Sequence, residues 1–279
     1  MYGRVPSCPF FIAISLKDAG NEGIISLDFK DLKGRFSMKS TAMNKRKKRW
    51  IIPVVIIAAA AAVFFIYFAV YYHAGDTAVN ALESSGDVKV SETDDIYFFD
   101  GPSDENAFIF YPGAKVEAAA YAPLMRDIAE KDADVFLVKM PLNFAFFGSG
   151  RAEDIINGND YENWFIGGHS LGGVAAAGYA SSHTDMIEGV VLCASYPSDD
   201  ISSLKVLSLY GTNDSVLNRE KYEDSRKYMP EDMTEVVLEG GNHAQFGDYG
   251  EQDGDTPADI TAGEQQAAAA EAIGEFISK

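Results

Sequence analysis

The most prominent hydrophobic pattern along the chain is one long uncharged stretch. Ile51–Tyr72 holds 22 residues without a charge and reads IIPVVIIAAAAAVFFIYFAVYY. As a helix it would be about 33 Å long, which is enough to cross the hydrocarbon core of a bilayer. Pro53 falls in the first turn, where its missing N–H is tolerated, and Trp50 suits the membrane interface. The pattern predicts a transmembrane helix over 50–72.

Two other interpretations of this stretch are a buried core helix and a cleaved signal peptide. A helix that is apolar all round over this length argues against a core helix. A signal peptide has a shorter apolar region and a small-residue cleavage site, and the match to such a site is poor here. An uncleaved anchor is therefore favoured over both.

From about residue 86 onward, short apolar runs alternate with segments of helical spacing, and residues 73–85 before them are an expected polar linker. Alternation of this kind predicts an α/β domain over 86–279, with a mostly parallel sheet of about eight strands and helices on both faces. The first two runs could form a hairpin or a meander. The predicted strands lie in 87–92, 95–100, 107–111, 134–140, 165–168 with the residues just upstream, 187–195, 204–211 and 234–241. The predicted helices lie in 116–132, 173–182, 219–229 and 263–278.

Charge divides the chain at the uncharged stretch. Residues 1–49 carry 11 Lys and Arg against 4 Asp and Glu, and residues 50–279 carry 12 against 38, within a net charge of −19. The positive-inside rule applied to Lys45–Arg49 predicts a cytoplasmic N-terminus and an acidic domain outside the cell membrane. A body this acidic is repelled by nucleic acid, so we expect no nucleic-acid partner.

Residues 1–42 show neither periodicity nor a motif, and Met43 stands directly before the basic NKRKKRW segment. We therefore treat 1–49 as a cytoplasmic segment in which 1–42 could be an upstream extension of a chain that begins at Met43.

No metal or cofactor is expected. Cys8 and Cys193 lie in very different regions, and no Cys/His cluster has the spacing of a zinc site. The acidic segment 247–259 could form a calcium loop, but a solvated loop is favoured.

The motif that carries chemistry is Gly168-His169-Ser170-Leu171-Gly172, at the junction of a predicted strand and a predicted helix. A tight turn there would strain the central residue and leave no room for side chains at the two glycines. It would also direct the Leu171 N–H and the start of a helix dipole toward the exposed Ser170 hydroxyl. We interpret Ser170 as a nucleophile, and the alternative is a glycine-rich helix start with a surface serine.

A serine nucleophile needs a base, and the chain has four histidines. His73 lies at the membrane exit, and His169 precedes the serine, so that its side chain should point elsewhere. His183 falls at the far end of the next helix. Elimination leaves His243, which follows the last predicted strand at the carboxyl edge of the sheet.

The base in turn needs a carboxylate that orients it. Asp214 in LYGTNDSV follows the penultimate strand at the same edge and is the favoured partner. Asp199 and Asp200, which follow the strand before it, are the alternatives.

The segments GGHSLGG, YGTND and GGNHAQFG resemble the α/β-hydrolase superfamily, whose catalytic order is Ser, acid, His. The resemblance covers about residues 90–279 and implies the α/β-hydrolase fold. IFYPGAKVEAAAYAPL is similar to the oxyanion loop of the dienelactone-hydrolase-like branch. That similarity implies a backbone donor at Ala114, or at Lys115, as the partner of the Leu171 N–H.

These features predict a membrane-anchored serine hydrolase that cleaves a small ester or related acyl compound through Ser170, His243 and Asp214. An acyltransferase on the same fold and a catalytically silent binding module are the alternatives. Phe144, Phe146 and Phe147 could line an acyl pocket, although aromatic residues at such spacing are more often core.

Overall fold

The computed structural model describes residues 45–102, 105–131 and 133–279, with side chains from residue 52 onward. The expected extension 1–42 lies outside the described residues. Of the expected cytoplasmic segment, only the backbone of 45–49 is described, and it is helical.

The uncharged stretch forms helix α1, Lys45–Ala69. Within it, Ile52–Ala69 has a mean hydropathy of 2.6 and is not buried, so the helix is long and apolar enough to cross a membrane. The helix ends before Tyr72 because the backbone of Tyr72 pairs with the domain. The Tyr72 N–H donates to the Lys115 carbonyl (2.7 Å), and the Glu117 N–H donates to the Tyr72 carbonyl (2.9 Å). The helical part of the expected span is therefore three residues shorter than 50–72.

Residues from Val55 onward belong to one compact unit, and the predicted alternation of strands and helices is present in it. The strands are β1 (Lys89–Glu92), β2 (Ile96–Asp100), β3 (Asn106–Tyr111), β4 (Asp134–Val138), β5 (Asn163–His169), β6 (Gly189–Cys193), β7 (Lys205–Gly211) and β8 (Thr234–Leu238). The helices after α1 are α2 (Asp76–Ala81), α3 (Ala122–Ala129), α4 (Arg151–Gly158), α5 (Leu171–Ser181), α6 (Arg219–Ser225) and α7 (Ala262–Ile277).

The eight strands form one sheet in the order β1-β2-β4-β3-β5-β6-β7-β8. The β1–β2 and β2–β4 pairs are antiparallel, and every pair from β4–β3 to β7–β8 is parallel. The predicted hairpin and the predicted mostly parallel sheet are both confirmed. Because strands β3 to β8 run the same way, their carboxyl ends meet at one edge, and the segments that follow them lie there together.

Both faces of the sheet are covered. Along β3, Phe108 and Phe110 point to the core with α3 and α7, whereas Ile109 and Tyr111 point to the core with α4 and α5. All four side chains are fully buried. Burial on both faces explains why the strands are continuous apolar runs and not alternating ones.

The predicted helix over 116–132 is broken into a 3₁₀ turn at Ala118–Tyr121 and the shorter α3. Pro123 explains the break, because it is accommodated in the first turn of α3 but not in the middle of a longer helix. Helix α4 was not predicted, although Ala152, Ile155 and Ile156 give it a short buried face.

The segment 73–85 folds onto the domain, which differs from the expected linker. It forms α2, in which Ala78 is completely buried. The Asp248 carboxylate accepts from the Ala78 N–H (2.8 Å), and the Asp248 carbonyl accepts from the Gly75 N–H (2.7 Å). These bonds join residues about 170 positions apart in the chain, and such long-range partners cannot be read from a local polar pattern.

Candidate active site

Ser170 occupies a strained turn between β5 and α5. Its backbone angles are φ 53° and ψ −124°, whereas the next residue, Leu171, already begins the helix. A non-glycine residue in this region costs on the order of 1–3 kcal/mol and persists only where its surroundings enforce it. The strain predicted for this turn is therefore present at the serine itself.

The glycines on either side enforce the turn because nothing larger fits there. A Cβ at Gly172 would lie 2.1 Å from the Tyr111 carbonyl oxygen and 2.3 Å from that of Pro112. A Cβ at Gly168 would lie 2.6 Å from the Gly172 carbonyl carbon. The backbone at the start of α5 is thus packed directly against the backbone at the end of β3.

Two hydrogen bonds from β6 and the segment after it also hold the turn. The Ser170 N–H donates to the Cys193 carbonyl (2.9 Å), and the Ser195 hydroxyl donates to the Ser170 carbonyl (2.7 Å). Ser195 was not among the residues predicted from the sequence, and the one local signal for it is its position two residues after β6.

His243 and Asp214 are brought together behind the turn. His243 Nδ1 and Asp214 Oδ2 are 2.9 Å apart, and the two side chains are 2 % and 0 % exposed. Asp214 Oδ1 accepts from the Val216 and Leu217 N–H groups (2.9 and 2.8 Å), which fixes the carboxylate. An imidazole held at Nδ1 in this way presents Nε2 on its other side.

A pocket of about 140 Å³ joins these groups at the carboxyl edge. Ser170, Leu171 and His243 all line it. His243 Nε2 is buried and has no hydrogen-bond partner in the described chain. The remaining wall consists of Val174 in α5 and the segments that follow β6 and β7, namely Ala194, Ser195, Tyr196, Val216, Leu217 and Asn218.

The alternatives left open by the sequence are now distinguished by position. Asp199 and Asp200 are exposed, and the Asp199 carboxylate accepts from the Ser198 hydroxyl and not from a histidine. The Lys115 N–H donates to the Asn143 carbonyl (2.7 Å), so that amide is already engaged. Ala114 is half-buried beside it and does not line the described pocket.

His169 points away from the pocket, as predicted, but it lies against the proposed base. Its ring centroid is 4.5 Å from that of His243. Burial lowers the pKa of His169 well below its usual value of 6.5, and the proximity of His243 lowers it further. The ring is thus part of a buried layer under the turn, in which the neutral form is favoured.

Tyr121 ties this layer to the segment after β3. Its hydroxyl lies 2.8 Å from His169 Nδ1 and accepts from the Gly113 N–H (3.1 Å). Gly113 directly precedes Ala114, so a fully buried hydroxyl fixes the backbone on which the proposed second oxyanion donor stands. Neither Tyr121 nor its role was identified from the sequence.

The three phenylalanines of the segment after β4 do not line this pocket. Phe146 and Phe147 are 56 % and 52 % exposed, and Phe144 contacts Phe68 of α1. In the described part of the chain, no group of three or more His, Cys, Asp or Glu residues could hold a metal ion.

Solved structures with the same fold include three hydrolases. A dienelactone hydrolase from Anabaena variabilis is 13 % identical, with a TM-score of 0.54 over 69 % of this chain and 98 % of that one. A carboxyl esterase 2 from Tuber melanosporum is 12 % identical, with a TM-score of 0.51 over 75 % and 90 %. A predicted CIB-like hydrolase from Thermoplasma acidophilum is 12 % identical, with a TM-score of 0.52 over 67 % of this chain and 99 % of that one.

No curated protein sequence matches the chain. The model of the alpha/beta hydrolase family matches residues 107–267, which run from β3 into α7 and include the strained serine turn together with Asp214 and His243. With more than half of its length inside that match, the chain belongs to the alpha/beta hydrolase family.

Proposed function

We propose that this chain is a membrane-anchored serine hydrolase that cleaves an ester or a related acyl compound outside the cytoplasm. The observation that carries the proposal is the buried bond between His243 Nδ1 and Asp214 Oδ2, next to a pocket that Ser170 also lines. An imidazole fixed at Nδ1 by a carboxylate, with Nε2 unpartnered in a pocket that a strained serine also lines, is the arrangement that a general base for that serine requires.

In the proposed reaction, the Ser170 oxygen attacks the acyl carbon while His243 Nε2 takes the hydroxyl proton. The carbonyl oxygen becomes an oxyanion held by the Leu171 N–H and the Ala114 N–H, each worth about 3 kcal/mol. His243 then gives its proton to the leaving alcohol. A water molecule, deprotonated by His243, attacks the acyl-enzyme and releases the acid with Ser170 restored. Asp214 holds the imidazole in one orientation throughout.

In the described chain, His243 Nε2 has no hydrogen-bond partner, so no hydrogen bond joins it to the Ser170 hydroxyl. In the proposed mechanism, this bond forms when substrate binds. Catalytic hydrogen bonds are often long in a free enzyme and tighten only in the complex. The pocket supports a small acyl group, since its volume is about 140 Å³.

The anchor is proposed from the length and hydropathy of α1, and the orientation from the five basic residues 45–49. A chain with such an anchor stays with the membrane pellet after extraction with alkaline carbonate. Recovery in the supernatant would contradict the anchor but not the hydrolase chemistry.

A fluorophosphonate probe tests the chemistry, because it labels only an activated serine. The full chain should be labelled, and Ser170→Ala should abolish labelling and lower kcat/KM for p-nitrophenyl butyrate by at least about 1,000-fold. Ser198→Ala, at an exposed serine, is the matched control and should leave both unchanged. Persistent labelling of Ser170→Ala would show that the nucleophile lies elsewhere, and an unlabelled wild type would favour a silent binding module.

A further inference from the structure

The segment after β4 presents apolar side chains that the domain does not cover. We call residues 141–147 the aromatic loop. Leu142, Phe146 and Phe147 are 45, 56 and 52 % exposed, and residues 140–149 contain no charge. Among the described residues from 71 onward, the other large hydrophobics with this exposure stand singly, at Val79 and Val237. An exposed patch of this kind marks a surface that binds something apolar.

The aromatic loop is continuous with the end of the membrane helix. The Phe68 ring centroid lies 5.1 Å from that of Phe144 and 5.7 Å from that of Phe147. Lys115, which follows β3, places its Nζ 4.4 Å from the Tyr67 ring centroid. Aromatic rings and a lysine near a helix end are typical of the interface between lipid and water.

The chain leaves little distance between the end of α1 and the segment that follows β3. Helix α1 ends at Ala69, and Tyr72 already pairs with Val116 as a parallel bridge. Three residues span at most about 10 Å even when fully extended. The segment after β3 is therefore held next to the level at which α1 leaves the bilayer.

The loop keeps a fixed shape at some energetic cost. Leu142 and Asn143 have φ values of 55° and 54°, in the left-handed region. The Asn143 carbonyl accepts from the Lys115 N–H (2.7 Å), and Ala145 is completely buried under the exposed rings. A conformation that exposes two phenylalanines is thus enforced by the domain and is not the result of an unpacked chain end.

The same loop borders the proposed catalytic groups. The residues Ala145–Phe147 of the loop form a 3₁₀ turn that packs against α5, the helix that begins at Leu171. The hydrogen bond from Lys115 joins it to the residue after Ala114. Loop, proposed oxyanion backbone and serine turn therefore share one edge of the sheet.

We propose that the aromatic loop inserts into the interface of the bilayer that α1 crosses, so that the edge carrying Ser170 takes amphiphilic esters lying at that interface. The inference rests on the proposed anchor and, for its substrate class, on the proposed hydrolysis. Apolar contact is the attraction, because residues 50–279 carry 38 acidic against 12 basic residues and are repelled by anionic lipid.

Depth-dependent quenching tests the insertion. The full chain with Cys8→Ser is reconstituted in phosphatidylcholine vesicles, and a fluorophore is attached through Phe146→Cys. The control carries the fluorophore through Val237→Cys, which is also an exposed position, on the edge strand β8. Cys193 is completely buried and stays unlabelled. Lipid with a nitroxide on its acyl chain should quench the fluorophore at 146 by about half and leave that at 237 nearly unchanged.

Each of the other possible outcomes would contradict a different part of the proposal. Equal quenching at 146 and 237 in a chain that floats with the vesicles would refute the insertion alone. A chain that does not float would refute the anchor and the insertion together. A fluorophore at 146 that is shielded from lipid, together with cross-linking of the unlabelled Phe146→Cys chain to a second copy by a bifunctional thiol reagent, would show a protein interface instead. Fluorophosphonate labelling of the same vesicles reports the hydrolase separately.

The substrate class is tested by a ratio of two rates. We compare kcat/KM for hexadecyl butyrate carried in the vesicles, an ester whose long chain lies in the leaving alcohol and whose acyl group is small, with that for water-soluble p-nitrophenyl butyrate. The double variant Phe146→Ser/Phe147→Ser should lower this ratio about 10-fold, whereas Val237→Ser should leave it unchanged. An unchanged ratio in the double variant would refute the interfacial substrate even if quenching had shown insertion.

Discussion

Several turns at the carboxyl edge of the sheet hold non-glycine residues at positive φ, and two of these turns have opposite surroundings. Ser170 lies between glycines in a turn pressed against the backbone of β3. Leu142 and Asn143 lie in the aromatic loop, where the neighbouring phenylalanines are half exposed. The first turn is enclosed by protein, and the second presents its apolar side chains outward.

The difference shows that backbone strain alone does not identify a reactive group. At the serine turn, the Ser170 N–H donates to the Cys193 carbonyl and the Ser195 hydroxyl donates to the Ser170 carbonyl, while His243 of a buried histidine–aspartate pair lines the same pocket as Ser170. In the aromatic loop, no ionisable side chain is present in residues 140–149, and the strained backbone only fixes the direction of apolar groups. We therefore propose catalysis at the serine turn and contact with the bilayer at the aromatic loop.

The largest expected effect that separates the two turns is on the rate of hydrolysis. Asp214→Asn should lower kcat/KM by about 10,000-fold, because the amide cannot hold His243 in the orientation and charge state required. Asp199→Asn removes an exposed carboxylate that follows β6 and should leave the rate within about twofold. Steady-state hydrolysis of p-nitrophenyl butyrate measures both. Equal losses in the two variants would show that the carboxylate partner was assigned incorrectly.

The next effect is on the free energy of unfolding. Gly172→Ala should lower it by at least about 3 kcal/mol, because the new Cβ would lie 2.1 Å from a backbone oxygen that cannot move aside. The matched control is Gly150→Ala, just beyond the aromatic loop, where no atom lies within 4 Å of the new Cβ. We expect the control to change stability by less than about 1 kcal/mol.

Urea denaturation in detergent, followed by the fluorescence of the buried Trp164, compares these two variants. If Gly150→Ala were as destabilising as Gly172→Ala, the steric enclosure of the serine turn would not distinguish it from the aromatic loop.

The smallest effect tests whether the layer under the serine turn is dry. Burial lowers the pKa of His169 below 6.5 in the folded chain, so the unfolded chain binds this proton more readily. As the pH falls below about 6.5, folding stability should therefore decrease by up to about 1.4 kcal/mol per pH unit. His169→Gln should remove that part of the pH dependence.

The measurement is the free energy of unfolding at pH 7.5 and pH 5.5 for both proteins. Stability that falls equally steeply in wild type and His169→Gln would show that another group titrates, and that His169 is solvated in the folded state.

Local patterns were sufficient for much of this molecule. Alternating apolar runs gave the eight strands, and the order of residues gave the serine turn with His243 and Asp214 after successive strands. Parallel strands deliver their carboxyl ends to one edge, so position in the chain implies proximity for groups of this kind. The alternation of short apolar runs with segments of helical spacing predicted the α/β fold.

Other features depended on partners that are distant in the chain. The bond from Asp248 to α2 turned an expected linker into part of the domain, and Pro123 shortened a helix whose periodicity continued through it. Tyr121 contacts His169, and Ser195 contacts Ser170, through hydrogen bonds that no local pattern around either residue indicates.

The sequence by itself determined the sheet, the uncharged helix and the segments that carry the proposed catalytic groups, because periodicity and turn chemistry act over a few residues. Only the tertiary structure decided that Phe146 and Phe147 face outward beside the end of α1. An apolar residue can be buried or exposed with equal local sequence, and which of these occurs depends on whether another part of the chain covers it.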